Sequence, residues 1–130
     1  MSKLLRTVLL LVLMAGLATC GKYDSDIATV KAAKSLTDHS NEDVAMQIAG
    51  ARGKVTWSAG RPDKYKDNEY IVGVDATIEK TTREGNKRIV VLSFVNNRQT
   101  NQVGFDGVTI DGQRQDIIGG ALNLLLMQLE

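Results

Sequence analysis

Between residues 69 and 96 the chain alternates apolar and polar positions more regularly than anywhere else. Over Glu69–Lys80, Tyr70, Val72, Val74, Ala76 and Ile78 alternate with Ile71, Gly73, Asp75, Thr77 and Glu79. That period of two predicts a strand with one buried face. Lys87–Asn96 sets Val90, Leu92 and Phe94 on one face and Ile89, Val91 and Val95 on the other. Being apolar on both faces, it is expected at the centre of a sheet. Lys54–Ser58, with Val55 and Trp57 on one face, and Gln102–Ile110, with Val103, Phe105, Val108 and Ile110, give four strands in all. The change of register at Asp106-Gly107 marks a bulge or tight turn. The links Arg61–Asn68, Thr81–Asn86 and Asn96–Asn101 are polar and too short for crossover helices, and Asp111-Gly112 is a turn signal. The sheet is therefore expected to be an antiparallel meander.

A helix is expected from Ser40. Ser40 is the N-cap and Asp43, three residues on, its reciprocal partner in a capping box. Asn41, Glu42 and Asp43 suit the positive end of the helix dipole. Val44, Ile48 and Ala51 share one face, with Ala45 and Ala49 beside them, and Gly53 is expected to supply the left-handed stop. Residues 27–36 fit a helix through Ile27, Val30 and Ala33, or a short strand around Thr29–Lys31. Ile117–Leu129 is apolar around most of its circumference and is read as a closing helix, weakened at its start by Gly119-Gly120. The expected fold class is α+β: an N-terminal helix packed on a four-stranded antiparallel meander, with a C-terminal helix.

The amino terminus follows a different pattern. Lys3 and Arg6 precede an apolar run of eleven residues, Val8–Ala18. A bilayer-spanning helix needs about 20, so the run is read as the core of a secretory signal. Leu17-Ala18-Thr19-Cys20 resembles the lipobox of bacterial lipoproteins. Thr19 stands where Gly, Ala or Ser is usual in that family. The resemblance implies a diacylglyceryl group on the Cys20 sulfur and cleavage just before it. In a Gram-negative host, Gly21 rather than Asp at the second mature position implies passage to the outer membrane, facing the periplasm. Ordinary cleavage after Ala18, with Gly16 as the other small residue, is the competing route. Cys20 is the single cysteine. An unpaired thiol in an oxidising compartment is a liability that acylation removes. The expected organisation is a signal peptide at 1–19, a lipidated Cys20 with a short polar tether to residue 26, and one domain over 27–130.

Composition narrows the function classes. Hydrophobic residues make up 43% and charged residues 24%, ordinary values for a folded domain. Aromatics make up only 5%, so the core must rest on Val, Ile, Leu and Ala. Without residues 1–19 the 16 basic residues fall by Lys3 and Arg6 to 14, against 15 acidic, a net of −1. With no basic run either, nucleic acid is not an expected partner.

No constellation of catalytic residues stands out. His39, the single histidine, lies in Asp38-His39-Ser40, but residues adjacent in sequence do not aim at one another as a triad must. The Asp106-Gly107, Asp111-Gly112 and Asp116 spacing does not match a calcium loop. GxGxxG and GxxxxGK[ST] are absent, so no cofactor and no metal are expected. Trp57, Tyr65 and Tyr70 flank one loop and are the candidate binding residues, since Trp and Tyr anchor interfaces. These features point to a non-enzymatic envelope lipoprotein that is tethered to a bilayer through Cys20 and binds an envelope protein. The rivals are a carrier with a small-ligand pocket lined by Trp57, Tyr70, Leu92 and Phe94, an immunity or inhibitor lipoprotein, and an enzyme with a carboxylate whose pKa is raised in a cleft.

Overall fold

The structure is a computed structural model that describes residues 21–115. A short 3-10 turn, Gly21–Tyr23, leads directly into helix α1, Asp24–Ala32. Helix α2 follows at Asn41–Ala49. Five strands come next: β1 (Lys54–Gly60), β2 (Ile71–Thr81), β3 (Lys87–Asn97), β4 (Gln102–Ile110) and β5 (Gln113–Gln115). They form one antiparallel sheet in the order β1-β2-β3-β4-β5.

This corrects the expected architecture. In place of one helix, four strands and a closing helix, the described chain has two helices followed by five strands. The expected tail helix 117–129 lies outside the described residues, as do the signal segment and Cys20. The added strand β5 has a turn-based cause. Asp111 (φ 50°) and Gly112 (φ 84°) both take left-handed backbone, the conformation of a two-residue type I′ hairpin. The hairpin returns Gln113–Gln115 alongside Val108–Ile110. Asp111 also joins the turn to β3, because its carboxylate accepts from the Ile89 N–H at 2.9 Å and Arg88 Nε at 2.7 Å.

The 21–26 tether is likewise replaced by folded chain. Its polar residues form the 3-10 turn and the first turn of α1, and Asp26 is buried. Of the two readings of residues 27–36, the helical one is observed, ending at Ala32. In α2, Ser40 caps as expected, its Oγ accepting from the Asp43 N–H at 3.1 Å. The left-handed stop is Gly50 (φ 68°), not Gly53. Asn41, read as dipole compensation, is wholly buried. Its Nδ2 donates to the Val30 carbonyl at 2.9 Å and its own N–H donates to the Ala33 carbonyl at 2.7 Å. It ties the two helices together, as buried polar groups must find partners.

The register explains the core. Ala76 faces Leu92, Ile78 faces Val90 and Val74 faces Phe94 across β2 and β3, while Leu92 faces Val108 and Val90 faces Ile110 across β3 and β4. All these side chains are buried under Val30 of α1 and Val44, Ala45, Ile48 and Ala49 of α2. Burying each Leu or Phe is worth roughly 1.5–3 kcal/mol. The pairing shifts by one residue between Ser93/Gly107 and Phe94/Phe105, leaving Asp106 as the extra residue of a bulge.

Candidate functional site

Beside β1, the edge strand of the sheet among the described residues, lies a groove of about 330 Å³. Val55 and Trp57 of β1 form its floor, and Lys31 of α1 with Glu42, Met46 and Ala49 of α2 form its wall. Alternation along β1 sends Val55 and Trp57 to the helix side of the sheet, where Trp57 lies opposite Ala76 of β2. The Trp57 ring stacks on Phe94 with centroids 6.3 Å apart and planes at 27°. It is thus anchored in the core on one side and open to the groove on the other.

Lys31 Nζ sits 5.7 Å from the Trp57 ring centroid and 3.4 Å from the Glu42 carboxylate. This bridges α1 to α2 over the groove and adds a cation–π contact. Met46 is 59% exposed, the most exposed of the large apolar residues among those described. A Met of this kind offers an adaptable apolar contact. The arrangement combines an apolar floor, an exposed apolar wall residue and one charge of each sign, with strand backbone alongside that pairs with no other strand among the described residues.

The expected aromatic cluster is not assembled. Trp57 lines the groove, but Tyr65 and Tyr70 do not. Tyr65 is half-buried in the loop after β1, with Lys64 Nζ 5.1 Å from its ring. Tyr70 is 41% exposed at the start of β2. Neighbours in sequence part here because the loop leaves the sheet end while Trp57 sits at mid-strand. The four residues of the carrier reading are parted in the same way. Leu92 and Phe94 are used up in packing, and Tyr70 is turned to solvent, so the four residues do not enclose one cavity.

Two polar clusters were missed by sequence reasoning. At one end of the sheet the Asp26 carboxylate accepts from Arg98 Nη2 at 2.6 Å, Arg98 Nε at 3.0 Å and Asn96 Nδ2 at 2.9 Å. Arg98 also reaches the Lys22 carbonyl at 3.2 Å and lies over the Tyr23 ring at 5.8 Å. Arg98 holds the Asp26 carboxyl below its ordinary range, outweighing burial, which pushes the other way. Asn96 Oδ1 is buried with no hydrogen-bond partner among the described residues.

On the opposite face of the sheet from the helices, Lys64 Nζ meets Asp106 at 2.6 Å, and Arg114 donates to the Asp106 carbonyl at 2.6 Å. Asp106 raises the Lys64 pKa above its usual value. Asp111 is held low, first by the Ile89 N–H. Asp26 and Asp111 are each shifted downward, the direction opposite to that of a general acid. Among the described residues no group of three or more His, Cys, Asp or Glu is placed to hold a metal, and no helix is long and apolar enough to cross a membrane.

Compared with protein-family models, curated proteins and solved structures, the chain matches none.

Proposed function

We propose that the protein is an envelope lipoprotein, held at the bilayer by an acylated Cys20, that grips an extended segment of a partner protein along the edge strand β1. The lipobox-like Leu17-Ala18-Thr19-Cys20 supports the anchor, and Gly21 after it supports an outer-membrane destination facing the periplasm. The observation that carries the partner reading is the groove lined by Trp57, Val55 and Met46 beside a strand edge that pairs with no other strand among the described residues. The two edges of the sheet differ. Within the described residues β5 carries only Gln-Arg-Gln, whereas β1 sets Val55 and Trp57 beside the groove. An extended chain added to β1 gains main-chain hydrogen bonds, and its alternate side chains enter the groove. No chemistry is asked of the site, so the reading is of a binding module rather than an enzyme.

Two measurements test it. Mass spectrometry of the mature protein from its host should find a diacylated or triacylated N-terminal Cys20. An unacylated chain beginning at Thr19 would remove the anchor. A photo-crosslinking residue at Glu42, on the groove rim, should give one discrete envelope adduct that Met46→Glu abolishes. The same residue at Thr77, on the far face, should give none. Identical adducts from both positions, or none from Glu42, would refute the groove as the binding surface.

A further inference from the structure

We infer that the end of the sheet carrying Lys22, Tyr70 and the Arg98–Asn101 turn is the surface this protein lays against the lipid bilayer. The inference rests on the acylation of Cys20 proposed above and adds an orientation to it. The connection between the anchor and the folded domain has almost no slack. Cys20 is covalently joined to Gly21, and Gly21–Tyr23 is already a 3-10 turn that runs into α1 without a break. Helical backbone there removes the free dihedrals that a flexible tether would use.

The start of α1 is itself locked to the sheet. Asp26, in the first turn of the helix, is fastened by two Arg98 nitrogens and by Asn96, at the end of β3 and in the turn that follows it. Arg98 holds the Lys22 carbonyl as well. The chain therefore leaves the domain at one defined place, next to the β3–β4 turn. The Arg98 N–H donates to the Tyr70 carbonyl at 2.9 Å, which brings the start of β2 to the same place.

The groups exposed there suit a headgroup layer. Tyr70 is an exposed aromatic with a polar tip, the amphipathic kind favoured where apolar and wet phases meet. Lys22 is exposed, and the Arg98–Asn101 turn is polar throughout. The opposite end carries the Thr82–Asn86 link. β3 is 11 residues long, so at about 3.3 Å per residue the two ends stand roughly 35 Å apart. An anchor at one end places the other far beyond the headgroups. Trp57, at mid-strand, is then presented sideways and stays open to a partner in the periplasm.

The test uses the full chain, purified from host membranes and reconstituted in phosphatidylethanolamine–phosphatidylglycerol vesicles containing a headgroup-attached nitroxide quencher. Thr100→Cys and Glu84→Cys each introduce one label site at an exposed turn, because acylation occupies the chain's own cysteine. A fluorophore at 100 should lose most of its emission, and one at 84 almost none. Inserting a Gly/Ser linker of about ten residues after Cys20, with a coil reach of roughly 17 Å, should shrink that difference by freeing the domain. Equal quenching at 100 and 84 in vesicle-bound protein would overturn the orientation while leaving the anchor intact. A difference that the linker does not change would overturn the short connection as its cause. If Cys20 takes up the label, the anchor itself fails and the orientation falls with it.

Discussion

Two ion pairs in this protein have the same nitrogen–oxygen distance, 2.6 Å, in opposite surroundings. Asp26–Arg98 joins the first turn of α1 to the β3–β4 turn, and its carboxylate side chain is only 3% exposed, while the arginine side chain is 42% exposed. Lys64–Asp106 joins the loop after β1 to the bulge of β4, with side chains 47% and 22% exposed. The first carboxylate takes three hydrogen bonds from two side chains that lie 70 and 72 positions away in sequence. The second pair is a single contact of a flexible lysine. Distance alone does not rank them. Burial does, because a buried acceptor has no water to fall back on when its donor is lost.

That asymmetry exists within the first pair as well, and it sets the largest expected effect. Arg98→Ala leaves a buried carboxylate without its counter-charge and with Asn96 alone as side-chain donor, and should destabilise the domain by about 3 kcal/mol. Asp26→Ala frees a guanidinium that can turn to water and takes the acceptor from the Asn96 amide, and should cost about 1–2 kcal/mol. Urea unfolding of the two variants measures the difference. If Asp26→Ala proves the more damaging, the buried carboxylate is not what the arginine serves, and burial does not rank the two partners.

Acid sharpens the same comparison. Hydrogen bonds from Arg98, with help from Asn96, hold Asp26 below its ordinary value of 3.8 despite burial. Between the folded and the unfolded value the unfolded chain binds more protons, so stability falls as pH falls. The contribution is complete above about pH 5 and is lost as pH drops through the depressed folded value. The gap in unfolding free energy between the unmodified chain and Asp26→Asn should therefore be constant near neutrality and shrink in acid. A gap independent of pH down to about 2 would mean that Asp26 titrates alike in both states.

These two clusters also show where local pattern stops being informative. The strands were legible because alternation is a local property. Glu69–Lys80 was expected and Ile71–Thr81 is found, and the register change at Asp106-Gly107 is the bulge observed. Trp57 stands out in the sequence as a candidate binding residue and lines the groove, whereas Met46, off the Val44–Ile48 face of α2, carries no signal except apolarity on a polar side. Asp26 could not be read as buried. Polar spacing made residues 21–26 resemble a tether, and the arginine that reverses that reading is remote in sequence. β5 was hidden for another reason. Gln-Arg-Gln has no apolar alternation, and only the backbone of the Asp111-Gly112 turn places it in the sheet.

The smallest expected effect belongs to the outer pair. Lys64→Ala removes a contact whose lysine keeps nearly half its side chain in water, and exposed pairs are worth about 0–1 kcal/mol. The loop it leaves is held independently. Arg61 donates to the carbonyls of Glu69 and Asn68 at 2.7 and 2.8 Å. What remains of the Lys64 contribution should disappear in roughly 1 M salt, where the screening length is about 3 Å. Arg98→Ala should keep most of its cost at that ionic strength, since a buried carboxylate is poorly screened. Unfolding both variants at low and high salt compares the two sites directly. Equal salt sensitivity would show that water reaches both pairs alike, and burial would no longer separate them.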